Sequence, residues 1–189
     1  KMIDLGTAPP SNSYLRSEDL NSPELYYPLR VLVCDNCWLV QTEDFADRGS
    51  LFHQDYAYLS SVSSTWSAHV ERYAVEMIER FGLDSRSMVV EIASNDGCLL
   101  DVFHRRGIPT LGVEPTESTA ALARKRGLTI IGAFFGETLG ITLAQTHGRA
   151  DLIAANNVLA HVPDINDFVK GFARLLAPDG VITFEFPHL

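Results

Sequence analysis

The chain has 189 residues, enough for one full domain and a small module, and its 46% hydrophobic content and net charge of −9 exclude a disordered polymer. The acidic balance opposes a phosphate backbone, and the short basic runs Arg105-Arg106 and Arg124-Lys125-Arg126 read as helix-end charges, so no nucleic-acid partner is expected. No apolar run approaches the roughly 18 residues of a membrane span, and Lys1 opens no signal-like segment, which predicts a soluble, cytoplasmic protein.

Residues 1–24 are rich in Pro, Ser and Asn and predict an extended arm held by contacts rather than by its own core. Leu29 to Val33 and Trp38 to Thr42 read as two β-segments joined by the knuckle Cys34-Asp35-Asn36-Cys37. A structural zinc wants four protein ligands, and the chain has no second Cys-x-x-Cys. Cys34 and Cys37 therefore have two readings, a zinc half-site or a reduced turn without metal. Asp55-Tyr56-Ala57-Tyr58-Leu59-Ser60-Ser61 is a polar, aromatic connector, and the boundary between a small module, 1–60, and a larger domain, 61–189, falls at its end.

Trp66, Val70, Tyr73, Ala74, Met77, Ile78 and Phe81 recur at helical spacing and predict a helix with one buried face, ended by Gly82. His69 falls off that stripe, facing a cleft. From Ser87 onward strands (88–94, 110–114, 128–131, 151–155, 181–186) alternate with helices (98–106, 117–126, 137–146, 165–177). This pattern predicts an α/β, doubly wound, Rossmann-like parallel sheet with ligands at the carboxyl ends of its strands.

Three strand ends carry the chemistry. In Glu91-Ile92-Ala93-Ser94-Asn95-Asp96-Gly97-Cys98 an apolar strand breaks into a polar turn whose Gly97 admits close backbone approach, and the helix beginning at Cys98 offers free amides to a carboxylate. The bland alternative is a loop with Asn95 or Asp96 as a simple N-cap. Glu114, followed by Pro115, stands about 20 residues on, the spacing at which an acid accepts ribose hydroxyls. No further glycines follow to seat a pyrophosphate. The set therefore predicts S-adenosylmethionine rather than a dinucleotide, with Glu91, Ala93, Asn95, Gly97, Glu114, Pro115, Asn156 and Asn157 lining its site. Phe134 and Phe135 have two readings, an adenine sandwich or buried loop aromatics. His161 lies just past the strand that ends at Asn156-Asn157, where the transferable methyl group should point. It is the candidate acid or base, against the alternative of a structural hydrogen-bonder. Cys98 reads as a small core residue.

The motif order resembles the sugar C-methyltransferases that act on nucleotide-linked deoxyhexoses in antibiotic biosynthesis. The resemblance is carried by Leu5-Gly6, Pro10, Asn12, Cys34 to Cys37, Asp55 to Tyr58, Glu91 to Leu100, Gly112 to Pro115, Phe135-Gly136, Asn156 to Asp164 and Phe184 to Pro187. It implies a zinc module, a class I methyltransferase domain and a C-terminal domain that helps bind a nucleotide sugar. It also implies catalytic roles for His161 and Tyr56, with Tyr56, Tyr58 and His161 facing a dTDP-linked keto-deoxyhexose. By the same resemblance the family's first cysteine pair would precede Lys1, and its Tyr-His-Glu-His motif, which supplies acid/base chemistry, would lie beyond Leu189.

Overall fold

The computed structural model describes residues 1–45, 48–52 and 57–186. Two compact units divide the chain, Lys1–Tyr58 and Leu59–Leu189. The first carries a three-stranded antiparallel sheet in the order β1 (Ile3–Ala8), β2 (Tyr27–Val33), β3 (Val40–Thr42), followed by the single-turn helix α1 (Arg48–Leu51). The arm expected to be extended and held by contacts supplies β1, paired to β2. Its pairing shifts register between Asp4 and Thr7, where Gly6 takes a left-handed φ of 81° and donates its N–H to Asp4 Oδ1. That bulge hid the strand from any simple alternation of apolar and polar residues.

In the second unit, α2 (Ser64–Phe81) is N-capped by Ser63, which accepts the Trp66 N–H, and closed by Gly82 at a left-handed φ of 63°. Val70, Ala74 and Met77 are buried, with Trp66, Tyr73, Ile78 and Phe81 packed against the same core. Five parallel strands follow, β4 (Val89–Ile92), β5 (Thr110–Val113), β6 (Ile130–Ile131), β7 (Ala150–Asn156) and β8 (Leu176–Glu185). Between them run α3 (Cys98–His104), α4 (Glu117–Lys125), α5 (Glu137–Thr146) and α6 (Ile165–Leu175). The spatial order β6-β5-β4-β7-β8 reverses direction at β4, so the crevice beside β4 and β7 is the topological switch point where such sheets bind ligands.

Strand alternation sorts the side chains onto two faces. Val89, Leu152 and Ala154 pack with α2, α3 and α4, whereas Val90, Ile92, Ile153 and Ala155 pack with α5 and α6. Under α5 and α6 lies an aromatic group in which the rings of Phe135, Phe168 and Phe172 meet at 4.9 to 5.7 Å. Gly140 and Gly171 let the two helices touch there, since a Cβ on Gly140 would stand 2.4 Å from the Gly171 carbonyl oxygen. Several element bounds differ from the sequence expectation, among them β6, which begins at Ile130 rather than 128, and β8, which begins at Leu176 rather than 181. The first strand of this sheet stops at Ile92 because Ala93 turns left-handed at φ 59°, and α3 ends at His104. The last helix stops at Leu175, with Leu176 already in β8. Among the described residues no helix is long and apolar enough to cross a membrane.

Candidate functional site

The turn from β4 to α3 places Ala93, Asn95 and Gly97 in left-handed conformations, at φ 59°, 51° and 76°. A glycine would enter that region without cost, and an alanine there costs about 1–2 kcal/mol. The backbone is nevertheless held by neighbours. Ser94 donates its N–H to the Val113 carbonyl at 3.1 Å, and Gly97 donates to Ser94 O at 2.9 Å. At position 97 glycine serves both the left-handed backbone and the packing, because a Cβ would meet Leu128 Cδ1 at 2.3 Å and Ala123 Cβ at 3.0 Å.

Glu114, at the end of β5, reaches into this turn. Its Oε2 accepts the Asn95 N–H and its Oε1 accepts the Thr116 N–H, both at 2.8 Å. The carboxylate thus ties two loops together while lone pairs remain for hydroxyl donors. From the other side, the helical turn Ser60–Val62 docks on the same residues. The Ser60 N–H donates to Asn95 Oδ1 at 2.9 Å, and the Ser61 N–H and hydroxyl both donate to Asp96 Oδ2. Arg126 completes the cluster, 3.1 Å from Ser61 Oγ and 3.5 Å from Asp96 Oδ2. No sequence signal marked Ser60 and Ser61 for this contact, and Asp96 was read only as a possible cap.

Three carboxyl groups, Glu91, Asp96 and Glu114, are buried within this one turn region. Burial first, then the charges of Glu114 and Asp96, push the Glu91 carboxyl well above the usual carboxylate range, against a lowering by the Leu100 N–H. Glu91 Oε2, Ser94 Oγ and Asp96 Oδ1 are buried without hydrogen-bond partners. Such groups point to a ligand that brings donors and positive charge. The ammonium and ribose hydroxyls of S-adenosylmethionine fit that demand, and the unpartnered oxygens are the observation on which the fit rests.

At the end of β7, Asn156 is half-buried and Asn157 is exposed at φ 53°, its N–H donating to the Glu185 carbonyl at 2.6 Å. A helical turn, Leu159–His161, then brings His161 to the surface, with its N–H on Val158 O at 2.9 Å. Pro115 is half-buried beside Glu114, and Phe134 is half-buried after β6. Of the two readings of Phe135, an adenine sandwich or a buried loop aromatic, the structure has the second, with the ring packed in the aromatic core against Phe168 and Phe172. Cys98 is half-buried against the core, as a small apolar residue would be. Tyr58 is exposed in the first unit, and Tyr56, like Asp55 and Pro187, lies outside the described residues.

In the first unit, the Cys34 to Cys37 knuckle closes the β2–β3 connection, with Cys34 N–H on Leu39 O at 2.9 Å and Trp38 N–H on Cys34 O at 3.0 Å. The N–H groups of Cys37 and Asn36 point at the Cys34 sulfur, and with the Cys37 thiol they hold its pKa below the ordinary thiol value. This arrangement favours a thiolate and fits metal ligation. No group of three or more His, Cys, Asp or Glu with ligand geometry occurs among the described residues, so the knuckle fits as two ligands only.

Residues 66–189 match a family model described as "Methyltransferase domain". The chain belongs to the methyltransferase family. Residues 1–52 match a second family model, described as "Putative zinc binding domain". The chain is 34% identical over 188 residues to the C-methyltransferase NovU of Streptomyces niveus, which covers 100% of this chain and 44% of that protein. It is 24% identical over 160 residues to a ubiquinone biosynthesis O-methyltransferase of Escherichia coli, covering 77% of this chain and 66% of the relative. Among solved structures, a "putative s-adenosyl-l-methionine-dependent methyltransferase" from Methanococcus maripaludis superposes with a TM-score of 0.52 at 16% identity, over 66% of this chain and 59% of that one. That likeness shows the fold. The methyltransferase chain thus spans less than half the length of NovU and about two thirds of the O-methyltransferase.

Proposed function

We propose that this protein binds S-adenosylmethionine and methylates a carbon next to the ketone of a dTDP-linked keto-deoxyhexose, in antibiotic sugar biosynthesis. The similarity to NovU along 188 residues carries the C-methylation reading, and the buried unpartnered oxygens around Glu91 and Asp96 support the cofactor. The cofactor supplies an electrophilic sulfonium methyl group. The chain's own residues do the rest. Glu114 holds the ribose hydroxyls and Glu91 the ammonium. The Asn95 to Gly97 turn and the α3 N-terminus receive the methionyl carboxylate, and Asn156, Asn157 and Pro115 border the nucleoside. Tyr56 and His161 hold and polarise the sugar ketone, so that charge developing on its oxygen in an enolate is stabilised, while Tyr58 adds contact to the sugar. Cys34 and Cys37 serve as two structural zinc ligands, and the free thiols suit the cytoplasm.

Calorimetric titration with S-adenosylhomocysteine tests the cofactor half. Binding by the native chain and at least about 100-fold weaker binding by folded Glu114→Ala is expected, from the loss of charge-assisted bonds worth about 1.5–3 kcal/mol each. Incubation with a dTDP-linked keto-deoxyhexose in D2O tests the acceptor half, by deuterium at the carbon beside the ketone. The 24% similarity to the ubiquinone biosynthesis O-methyltransferase favours a second reading, methyl transfer to oxygen, which predicts an O-methyl ether by mass fragmentation and no carbon-bound deuterium.

A further inference from the structure

Glu91 is flanked on the two neighbouring strands by its register partners Gly112 and Ala154, so neither position offers it a polar side chain. Three buried carboxyl groups share the donors of this region. Glu114 takes the Asn95 and Thr116 N–H groups, one on each oxygen at 2.8 Å. Asp96 takes the Ser61 N–H, the Ser61 hydroxyl and the Arg126 guanidinium, all on Oδ2. Glu91 takes the Leu100 N–H from the first turn of α3, and its Oε2 is left buried without a partner. A bare buried oxygen costs far less on a neutral carboxyl than on a carboxylate. Of the three, Glu91 is therefore the group placed to hold a proton.

The titratable groups around it are neutral or engaged elsewhere. On α2, burial pushes the Tyr73 phenol up to about 12, and His69 Nε2 meets Glu185 Oε2 at 2.7 Å. At the start of α3, burial raises the Cys98 thiol. The Arg126 guanidinium lies on Asp96. Burial, then the charges of Glu114 and Asp96, hold the ligand-free Glu91 carboxyl well above the usual range. A cation brought to Oε2 reverses that balance, since an opposite charge within about 4–6 Å favours the carboxylate. An ammonium also supplies the donor that this oxygen lacks.

We propose that this site exchanges a proton for the ligand's ammonium: as the cofactor enters, Glu91 gives its carboxyl proton to solvent and the carboxylate pairs with the ammonium. This rests on the S-adenosylmethionine reading. The carboxyl O–H bond breaks, its electron pair stays on the oxygen, and the proton passes to the buffer, so nothing is oxidised or reduced. One proton leaves for each ligand bound. Affinity for an ammonium-bearing ligand therefore rises with pH, by up to about tenfold per pH unit while ligand-free Glu91 is protonated. A ligand without the ammonium gains nothing from the exchange. Glu91 thereby selects adenosyl ligands that carry the amine.

Calorimetric titrations in phosphate and in imidazole, which differ in ionisation enthalpy, count the protons at about pH 6.5, where the ligand's own amino group stays charged. S-adenosylhomocysteine is expected to release about one proton from the native chain, and its deaminated analogue, with hydrogen in place of the amino group, none. Glu91→Gln is expected to bind S-adenosylhomocysteine without release. Its affinity should stay level between about pH 5.5 and 6.5, where the native affinity climbs up to about tenfold. Release that persists in Glu91→Gln, or that is equal for the two ligands, overturns the exchange. Should Glu91→Gln fail to fold by circular dichroism, the two ligands on the native chain decide. Native binding of S-adenosylhomocysteine without release leaves the cofactor reading standing and overturns the exchange alone. A folded native chain that binds neither ligand removes the cofactor reading, and the exchange with it.

Discussion

Asn95 sits between two tethers, accepting the Ser60 N–H on Oδ1 at 2.9 Å and donating its own N–H to Glu114 Oε2 at 2.8 Å. Its left-handed backbone makes both bonds possible at once. Asn95→Ala removes the Ser60 acceptor and places a side chain without that compensation at φ 51°, for an expected loss of about 1–2 kcal/mol in urea unfolding. Asn95→Gly removes the same side chain but enters the left-handed region without cost, so its binding of S-adenosylhomocysteine is expected to exceed that of Asn95→Ala. Equal affinities would mean that the turn's conformation does not govern the site.

Glu91 gives the protein a pH signature. Its carboxyl is raised in the folded state, by burial and then by Glu114 and Asp96. The unfolded chain therefore loses this proton first, and stability falls as pH rises from the ordinary glutamate range toward the folded pKa. Glu91→Gln removes that loss. Ligand-free Glu91→Gln should match the native chain in melting temperature below about pH 4, where the native carboxyl is protonated in both states, and melt higher at neutral pH. Weaker S-adenosylhomocysteine binding should accompany the gain. Parallel melting curves across pH would remove Glu91 from the electrostatics of the site.

The close contact of α5 and α6 tolerates no added carbon. A Cβ at Gly171 would stand 2.7 Å from both the Gly136 carbonyl oxygen and Phe135 Cε1. Gly171→Ala must part the helices or shift the ring, and an overpacking cost of about 1–3 kcal/mol is expected in chemical denaturation. A native midpoint in this variant would show that the interface is slack.

The two kinds of cysteine should react differently. Backbone N–H groups lower the Cys34 thiol, whereas burial raises that of Cys98. With chelator present, iodoacetamide at neutral pH should label Cys34 well before Cys98, as read by peptide mass spectrometry. Saturating zinc is expected to protect Cys34. Labelling of Cys98 first would contradict the knuckle geometry.

The parallel sheet was legible because buried strands between amphipathic helices announce themselves, and the strand ends at Asn95, Glu114 and Asn156 follow from that order. The β1 strand was not, because a bulge at Gly6 breaks its alternation. Phe135 was ambiguous for a physical reason: a loop aromatic has the same sequence whether it meets a ligand or Phe168 and Phe172. The left-handed positions Ala93 and Asn95 lacked the glycine that usually flags them. The Ser60, Ser61 and Glu185 contacts join residues 35 to 116 positions apart, which only tertiary packing can reveal.

The two rims of the sheet differ in the connections they carry. At the amino rim Leu176 already pairs with Ala150, and the register then shifts so that the short stretch 177–180 bulges out before Val181 pairs with Leu152. At the opposite rim, 157–164 joins β7 to α6 as an open span carrying Asn157 and His161. Closing a longer loop costs only about 0.6 kcal/mol per doubling of its length. Descendants of this chain can therefore acquire new acceptors by lengthening or recasting 157–164, while the framework that seats the methyl donor keeps its dimensions.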